Sequence, residues 1–160
     1  MYHSLVYKII SLLKENNYWF ETFEHEPVRT SEEAAQIRTK YSLKQGAKAI
    51  ILRVKKGKAQ EFVMLVIPGN CKFNPTKVKK ILNSNDIRFA TEAEICKLTN
   101  GVEVGGIPAL GNLFKLQVFV EPTLLTNEKI IFNAGDRRFS IAMKSTDYQK
   151  IVEPTFVNII

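Results

Sequence analysis

The segment Gly101–Gly111 concentrates backbone groups that can act on a substrate without help from reactive side chains. It reads Gly-Val-Glu-Val-Gly-Gly-Ile-Pro-Ala-Leu-Gly and holds four of the eight glycines and one of the six prolines. Glycine permits positive φ and close approach of a ligand, whereas proline fixes φ. We expect a rigid loop whose Gly105 and Gly106 N–H groups are free to bind a carbonyl oxygen or a phosphate. A tight connection between a helix and a strand is the alternative.

Two side chains elsewhere in the chain have the chemistry of site residues. Lys48 stands at the start of the otherwise apolar run Ala47–Val54, where a buried ammonium group requires an anion or hydrogen-bond acceptors. It either faces a cleft in which an anionic substrate is its partner, or extends from the end of a strand to solvent. His25 lies in a loop, a position that suits a structural histidine as well as a catalytic one.

Other catalytic centres lack the residues that they need. The chain has no GxxxxGK[ST], GxGxxG or HExxH motif. Only His3 and His25 are available for a Ser-His-Asp or Cys-His centre, and no cluster of metal ligands is present. A pair of carboxylates of the glycosidase type stays open, because their separation is not visible in a sequence. The sequence therefore favours chemistry by water, backbone donors and Lys48, with no metal and no cofactor.

Hydrophobic periodicity and capping signals predict the elements that position these residues. Helices are expected over Tyr2–Asn16, Ser31–Thr39, Pro75–Leu82, Thr91–Leu98 and Asp147–Val152. Strands are expected over Tyr18–Phe23, Ala47–Val54, Glu61–Ile67, Ile87–Phe89, Phe114–Glu121, Lys129–Asn133 and Phe139–Lys144, with Asn133–Asp136 as the link between the last two. This order predicts a single α+β domain over residues 1–160, with a mixed, largely antiparallel central sheet and helices packed around it.

Composition limits the environment and the partners. The 23 Lys and Arg against 16 Asp and Glu give a net charge of +7, which favours a polyanionic partner or forms a solvated basic surface. No run approaches eighteen apolar residues and the N-terminus lacks the pattern of a signal peptide, so no membrane partner is expected. Cys71 and Cys96 lack CxxC spacing; a disulfide between them is one alternative, and free thiols, in keeping with a cytoplasmic location, are expected.

Four stretches occur in an order and spacing shared with a known family. They are His25–Ala35, Gly46–Leu52, Thr99–Pro108, and Asn133–Gly135 together with Ser140–Met143. On these residues, which span about 20–150, the chain resembles the YbaK family of aminoacyl-tRNA deacylases. That family is related to the editing domain inserted in or associated with prolyl-tRNA synthetase.

The resemblance implies hydrolysis, in trans, of the ester that joins a wrong amino acid to a tRNA 3′ end. By this resemblance Lys48 contacts the terminal nucleotide and its phosphate, while Gly105 and Gly106 offer N–H groups to the ester carbonyl. The implied substrate-binding positions are His25, Thr30, Ile107, Pro108, Gly111 and Gly135, with Ile107 and Pro108 shaping the side-chain pocket. Alanyl- or cysteinyl-tRNA for proline is the expected substrate, serine stays open, and an aminoacyl-tRNA synthetase is a further expected partner.

Two other classes of function remain open at this stage. The same fold and groove suit a non-catalytic module that binds tRNA or a synthetase. They also suit a pocket for a small ligand such as a nucleotide or a free aminoacyl derivative. Loss of ester hydrolysis on replacement of Lys48 separates the enzyme from both.

Overall fold

Five α-helices and eight β-strands make up the chain, whose computed structural model describes residues 1–160. The helices are α1 (Ser4–Glu15), α2 (Ser31–Ile37), α3 (Pro75–Leu82), α4 (Glu92–Thr99) and α5 (Ser145–Val152). The strands are β1 (Phe20–Glu24), β2 (Ala47–Lys56), β3 (Ala59–Pro68), β4 (Asp86–Phe89), β5 (Gln117–Val120), β6 (Lys129–Asp136), β7 (Phe139–Lys144) and β8 (Thr155–Phe156). None of the helices is long and apolar enough to cross a membrane.

The strands form two sheets. A three-stranded antiparallel sheet has the order β1-β7-β6, and a five-stranded sheet has the order β4-β2-β3-β5-β8. In the larger sheet β5 pairs in parallel with β3 and β8, whereas the other pairs are antiparallel. The predicted α+β class with mixed, largely antiparallel strands is confirmed, although the strands divide between two sheets where one was expected.

The main core lies between the two sheets, and a smaller core lies under α3. Both faces of β3 are buried, because Met64 and Val66 point into the main core whereas Leu65 and Ile67 point toward α3. The amphipathic helix α1 closes the main core with one apolar stripe, as its spacing predicts. Its buried residues are Leu5, Val6, Ile9 and Leu13.

The hairpin between β6 and β7 differs from the prediction. The segment Asn133–Asp136 was expected to be the turn, but it belongs to β6 and contains a register shift against β7. Gly135 has φ +99°, and a side chain there would lie 2.9 Å from the Cβ atom of Leu5 in α1. Glycine at this point permits the bulge and the close approach of the helix, so the turn moves to the next two residues.

The expected strand Phe114–Glu121 is shorter than predicted. Its first residue, Phe114, ends a 3₁₀ helix over Gly111–Phe114, and Lys115 adopts a left-handed conformation with φ +59°. Gly111 sits so close to β3 and β5 that an added Cβ would lie 2.6 Å from Val118 Cγ2. The same apolar residues therefore pack as a helical turn, because tertiary contacts outweigh local strand propensity.

The first residues of β2 have a free edge. β4 pairs with β2 over Leu52–Lys55, and the Ala90 N–H donates to the Ile51 carbonyl at 3.0 Å, so the strand has no antiparallel neighbour on that side before Ile51. A single parallel bridge between Gly46 and Ile131 joins the beginning of β2 to β6. This open edge, together with α2 and the glycine-rich loop, defines a cleft.

Candidate active site

The cleft has a volume of about 360 Å³ and is lined from four sides. Its walls come from the start of α2, the start of β2, the loop around Gly105 and the middle of β6. Three cations, Arg29, Arg38 and Lys48, line it against one carboxylate, Glu32. The cleft therefore suits a substrate that carries negative charge.

Lys48 occupies the rim of the cleft and is half-buried. Its Nζ atom donates a hydrogen bond of 2.6 Å to the carbonyl oxygen of Cys71. No carboxylate lies within ion-pair distance, so the charge has no counterion in the chain. An ammonium group has three donors, and the two that remain are available to a substrate.

The glycine-rich loop forms a tight turn at the cleft. The Gly106 N–H donates to the Glu103 carbonyl at 2.9 Å, which closes a four-residue turn with Gly105 at its third position. Gly105 has φ +93°, the conformation that a type II turn requires there and that glycine adopts without strain. The expectation of a free Gly106 N–H is therefore wrong, whereas the Gly105 N–H donates to no other group of the chain.

Side chains of the β6–β7 hairpin hold this turn in place. The Asn133 side-chain amide donates to the Gly105 carbonyl, and the Gly135 N–H donates to the Gly106 carbonyl at 2.8 Å. Arg137 forms an ion pair of 2.8 Å with Glu103 on the same turn. The Gly105 N–H is thus presented by a preorganised backbone, which is the property that a site for a developing oxyanion needs.

Arg38 is a buried cation without a carboxylate partner. It is 7% exposed, its Nε donates to the Ala34 carbonyl at 3.3 Å and its Nη1 donates to Ser140 Oγ at 3.2 Å. Burial lowers the pKa of its guanidinium to about 10, so the group stays charged at neutral pH. Because a buried charge without an ion-pair partner is costly, a substrate acceptor in the cleft is its natural complement.

His25 lies behind the cleft and contacts it through Ser140. Its Nε2 is 2.7 Å from Ser140 Oγ, and its Nδ1 is 2.8 Å from the Glu26 carbonyl oxygen. Ser140 is fully buried and also contacts Asn133 Oδ1 at 3.0 Å. Burial, and then the charge of Arg38, lower the pKa of the His25 imidazole. His25 therefore supports the wall of the cleft and does not line it.

The N-terminal end of α2 and the loop add polar and apolar wall residues. The Thr30 hydroxyl oxygen caps α2 by accepting from the Glu33 N–H at 3.1 Å, which leaves its O–H free to donate toward the cleft. The Glu33 carboxylate accepts from the Arg29 N–H at 2.9 Å and not from the Thr30 N–H, so the two residues do not complete a capping box. Ile107 supplies an apolar patch opposite these groups.

The structure brings four of the predicted site residues to the cleft and leaves five outside it. Lys48, Gly105, Thr30 and Ile107 line the cleft, whereas Gly106, His25, Pro108, Gly111 and Gly135 do not. Pro108 is buried behind the loop. The two distant glycines serve close packing, against β5 for Gly111 and against α1 for Gly135.

Three residues of the site, Arg38, Asn133 and Glu32, were not among the site residues predicted from the sequence. Arg38 follows a short helix and its type is usually exposed, so burial is invisible before folding. Asn133 was assigned to a turn, where asparagine is common for other reasons. Glu32 was treated only as part of a helix start. A polar residue in an apolar strand, such as Asn133 in β6, is the signal that could have been followed.

A carbonyl or phosphate ligand would find donors on three sides of this cleft. The Gly105 N–H, the free protons of Lys48 and the guanidinium of Arg38 all donate, and no cysteine or histidine lines the wall. Such an arrangement suits stabilisation of negative charge and orientation of a substrate. The cleft is therefore suited to a ligand that carries negative charge or a carbonyl oxygen.

Comparison with known proteins identifies the family. A model of the aminoacyl-tRNA editing domain matches residues 25–151, and the chain belongs to this family. The Multifunctional Ser/Thr-tRNA deacylase ProXp-y of Escherichia coli (strain K12) is 30% identical over 152 residues, covering 94% of this chain and 90% of that protein. The predicted family and the predicted enzyme class, an aminoacyl-tRNA hydrolase, are thereby confirmed.

Two further likenesses agree with this family. The Proline--tRNA ligase of Stenotrophomonas maltophilia (strain R551-3) is 25% identical over 101 residues, which cover 63% of this chain and 18% of the ligase. A crystal structure of a proposed trans-editing enzyme for prolyl tRNA synthetase superposes with a TM-score of 0.82 at 18% identity. The superposition covers 99% of this chain and 98% of the other, and at this identity it shows the shared fold.

Proposed function

We propose that the protein removes small, wrongly attached amino acids from tRNA by hydrolysis of the ester bond, acting in trans on mischarged tRNA. The observation that carries the proposal is the convergence, in one cleft, of an unpaired Lys48 and a free, rigidly held Gly105 N–H. Family membership supplies the reaction class. The cytoplasm, where translation supplies aminoacyl-tRNA, is the proposed location.

The reaction consists of addition of water to the ester carbonyl, followed by cleavage of the bond to the ribose oxygen. The carbonyl oxygen becomes an oxyanion, and the Gly105 N–H stabilises it at the point where the charge develops. Collapse breaks the C–O bond and releases the amino acid, and the proton that the attacking water gives up passes through the neighbouring ribose hydroxyl to the ribose oxygen that leaves. Aminoacyl esters are activated, so ordering of water by the cleft and assistance by the neighbouring ribose hydroxyl suffice without a basic side chain.

Lys48 is proposed to bind the phosphate of the terminal nucleotide. Its position at the rim, with two unengaged donors, suits an anion that enters from solvent. Its bond to the Cys71 carbonyl fixes the ammonium group, so little side-chain freedom remains to be lost on binding. This assignment makes Lys48 the residue that aligns the 3′ end with the Gly105 turn.

The side chain of the amino acid is proposed to lie between Ile107 and Arg38. An apolar wall beside a buried donor suits a short side chain that carries a hydroxyl group, as serine and threonine do. The name of the E. coli relative, a Ser/Thr-tRNA deacylase, agrees with this choice. Alanine and cysteine, the first expectation, fit the same space but offer Arg38 a poorer acceptor or none.

A panel of charged tRNAs tests the proposal. Purified protein at micromolar concentration is incubated with seryl-, threonyl-, alanyl- and cysteinyl-tRNA, including tRNA for proline, and the remaining ester is counted over time. We expect hydrolysis of at least one member, fastest for serine or threonine. Binding of tRNA without hydrolysis of any member would overturn the enzymatic function and favour a tRNA-binding module.

The same panel tests the proposed synthetase partner. The similarity to a segment of a proline–tRNA ligase suggests that the two activities serve one tRNA. Addition of the cognate synthetase is expected to raise the rate of deacylation at low tRNA concentration. An unchanged rate over a range of synthetase concentrations would show that the enzyme works on free aminoacyl-tRNA alone.

A further inference from the structure

An aromatic pair of one exposed ring, Phe89, and one half-buried ring, Phe73, lies beside the cleft and has no role in the reaction described above. Phe89 is 64% exposed, and its ring meets that of Phe73 edge to face with centroids 5.8 Å apart. We propose that this pair is a stacking platform for the unpaired bases of the tRNA 3′ end. The inference rests on the proposed function, which places the terminal ester in the adjacent cleft.

The strand register places Phe89 next to the cleft. Phe89 pairs with Leu52 across β4 and β2, so the two side chains point to the same face of the sheet. Ile50, two residues before Leu52, lines the cleft and shares that face. Two residues of a strand span about 7 Å, a distance that one or two stacked nucleotides bridge.

Phe73 connects the platform to Lys48. The carbonyl that holds the Lys48 ammonium belongs to Cys71, and Phe73 follows two residues later on the same segment. Lys48, Phe73 and Phe89 thus border one continuous surface. A tRNA 3′ end whose last phosphate binds Lys48 therefore passes the aromatic pair.

The charge of this surface fits a nucleic acid better than a protein partner. The segment Phe62–Asn85 contains four lysines and no aspartate or glutamate. Two of them form no ion pair: Lys72, which directly precedes Phe73, and Lys79, which lies between the two phenylalanines in the sequence. Positive side chains around exposed aromatic rings are the usual means by which proteins bind single-stranded nucleic acid, since bases stack and phosphates meet the cations.

The test compares substrates that do and do not reach the platform. Hydrolysis of seryl-tRNA and of 2′(3′)-seryl-adenosine is measured for the wild type, Phe89→Ala, Phe89→Trp and Phe156→Ala. Phe156 is the matched control, because it is 52% exposed on β8, at the opposite edge of the same sheet. Thermal melting confirms that each variant is folded.

We expect Phe89→Ala to raise KM for seryl-tRNA about tenfold, with kcat and the kinetics of seryl-adenosine within twofold of the wild type. We expect Phe89→Trp to keep the KM for seryl-tRNA near the wild-type value. Phe156→Ala is expected to leave the kinetics of both substrates unchanged. An equal effect of Phe89→Ala on both substrates, or no effect on either, overturns the platform. An effect that occurs only when a synthetase is present also overturns it and assigns the surface to a protein partner.

A binding measurement separates failure of the platform from failure of the proposed function. Fluorescence anisotropy with a labelled single-stranded RNA that ends in CCA-3′ requires no hydrolysis. Weaker binding by Phe89→Ala than by Phe156→Ala supports the platform even if the wild type hydrolyses no ester. Equal binding by the two variants contradicts the platform even if the enzyme is active.

Discussion

Arg38 is the single buried residue that we propose to determine which substrates bind in the cleft. Two of its nitrogens donate to Ala34 and Ser140, and no carboxylate neutralises it. A site built around a buried donor discriminates against a ligand that lacks the acceptor, because the donor is then left unpaired. We therefore propose that Arg38 contributes to substrate selection more than to stability.

Replacement of Arg38 by lysine tests this role. Lysine keeps the charge but loses the planar guanidinium, so it cannot hold Ser140 and donate into the cleft with the same geometry. We expect hydrolysis of seryl-tRNA to fall at least about tenfold relative to alanyl-tRNA. The measurement is the ratio of kcat/KM values for the two substrates. An equal loss for both would assign Arg38 a purely structural role.

His25 makes stability depend on pH near neutrality. Burial lowers its pKa in the folded protein below the ordinary value, so the unfolded chain takes up a proton first as the pH falls. The free energy of unfolding is therefore highest above about pH 6.5 and decreases as the pH falls through the window below it. Urea unfolding between pH 5.5 and 8 measures this dependence.

The variant His25→Gln is the control for that window. Glutamine has no titrating group and can still donate to or accept from Ser140. We expect its free energy of unfolding to vary less with pH than that of the wild type. A wild-type protein that is most stable at pH 5.5 would contradict the assignment.

At the scale of elements, local signals located most helices and strands but not their ends. Asn74 and Pro75 begin α3, and Thr91 with Glu94 forms a complete capping box on α4, as predicted. These capping signals involve residues within one helical turn of each other, so they can be recognised from the sequence alone. The final helix begins at Ser145, two residues before its predicted start, and it has no side-chain cap, because the Ser145 hydroxyl donates to the Asn127 carbonyl.

The loop around Gly105 depends on contacts that are distant in the chain. Its composition predicted a rigid turn, but the choice of which N–H stays free depends on the turn type. Its position depends on Asn133, 28 residues later. Contacts of this length are set by sheet pairing, which no local pattern records.

Replacement of Asn133 by alanine tests whether its hydrogen bond to the Gly105 carbonyl positions the loop. Loss of the bond to the Gly105 carbonyl loosens the turn, and a small displacement of an oxyanion donor is costly. We expect kcat to fall about ten- to a hundredfold with less change in KM. Asn127→Ala is the control, because Asn127 makes comparable bonds, to Leu124 and Lys44, away from the cleft. Similar kcat values for the two variants would contradict this role.

At the scale of the whole molecule, the fold class follows from the order of elements, whereas the division into two sheets does not. The free edge of β2 exists because β4 is short and β6 belongs to the other sheet. That edge is the origin of the cleft. The sequence resemblance located Lys48 and Gly105, yet only the packing of four distant segments shows which predicted residues meet.

The net charge of +7 predicts that tRNA binding depends on salt. Each phosphate that a cation neutralises releases condensed counterions, so affinity falls as salt rises. For two or three such contacts we expect about tenfold weaker binding at 200 mM than at 50 mM salt. Filter binding with uncharged tRNA measures the slope. A flat salt dependence would show that the basic surface does not contact phosphates.

The measurement that tests the central claim most directly compares Lys48→Ala with the wild type and with Lys58→Ala on seryl-tRNA. Lys58 is exposed in the β2–β3 turn, at the far end of the strand that carries Lys48, and forms no ion pair. We expect hydrolysis by the wild type and by Lys58→Ala, and a loss of kcat/KM of at least about a hundredfold in Lys48→Ala. Full activity of a folded Lys48→Ala would contradict it.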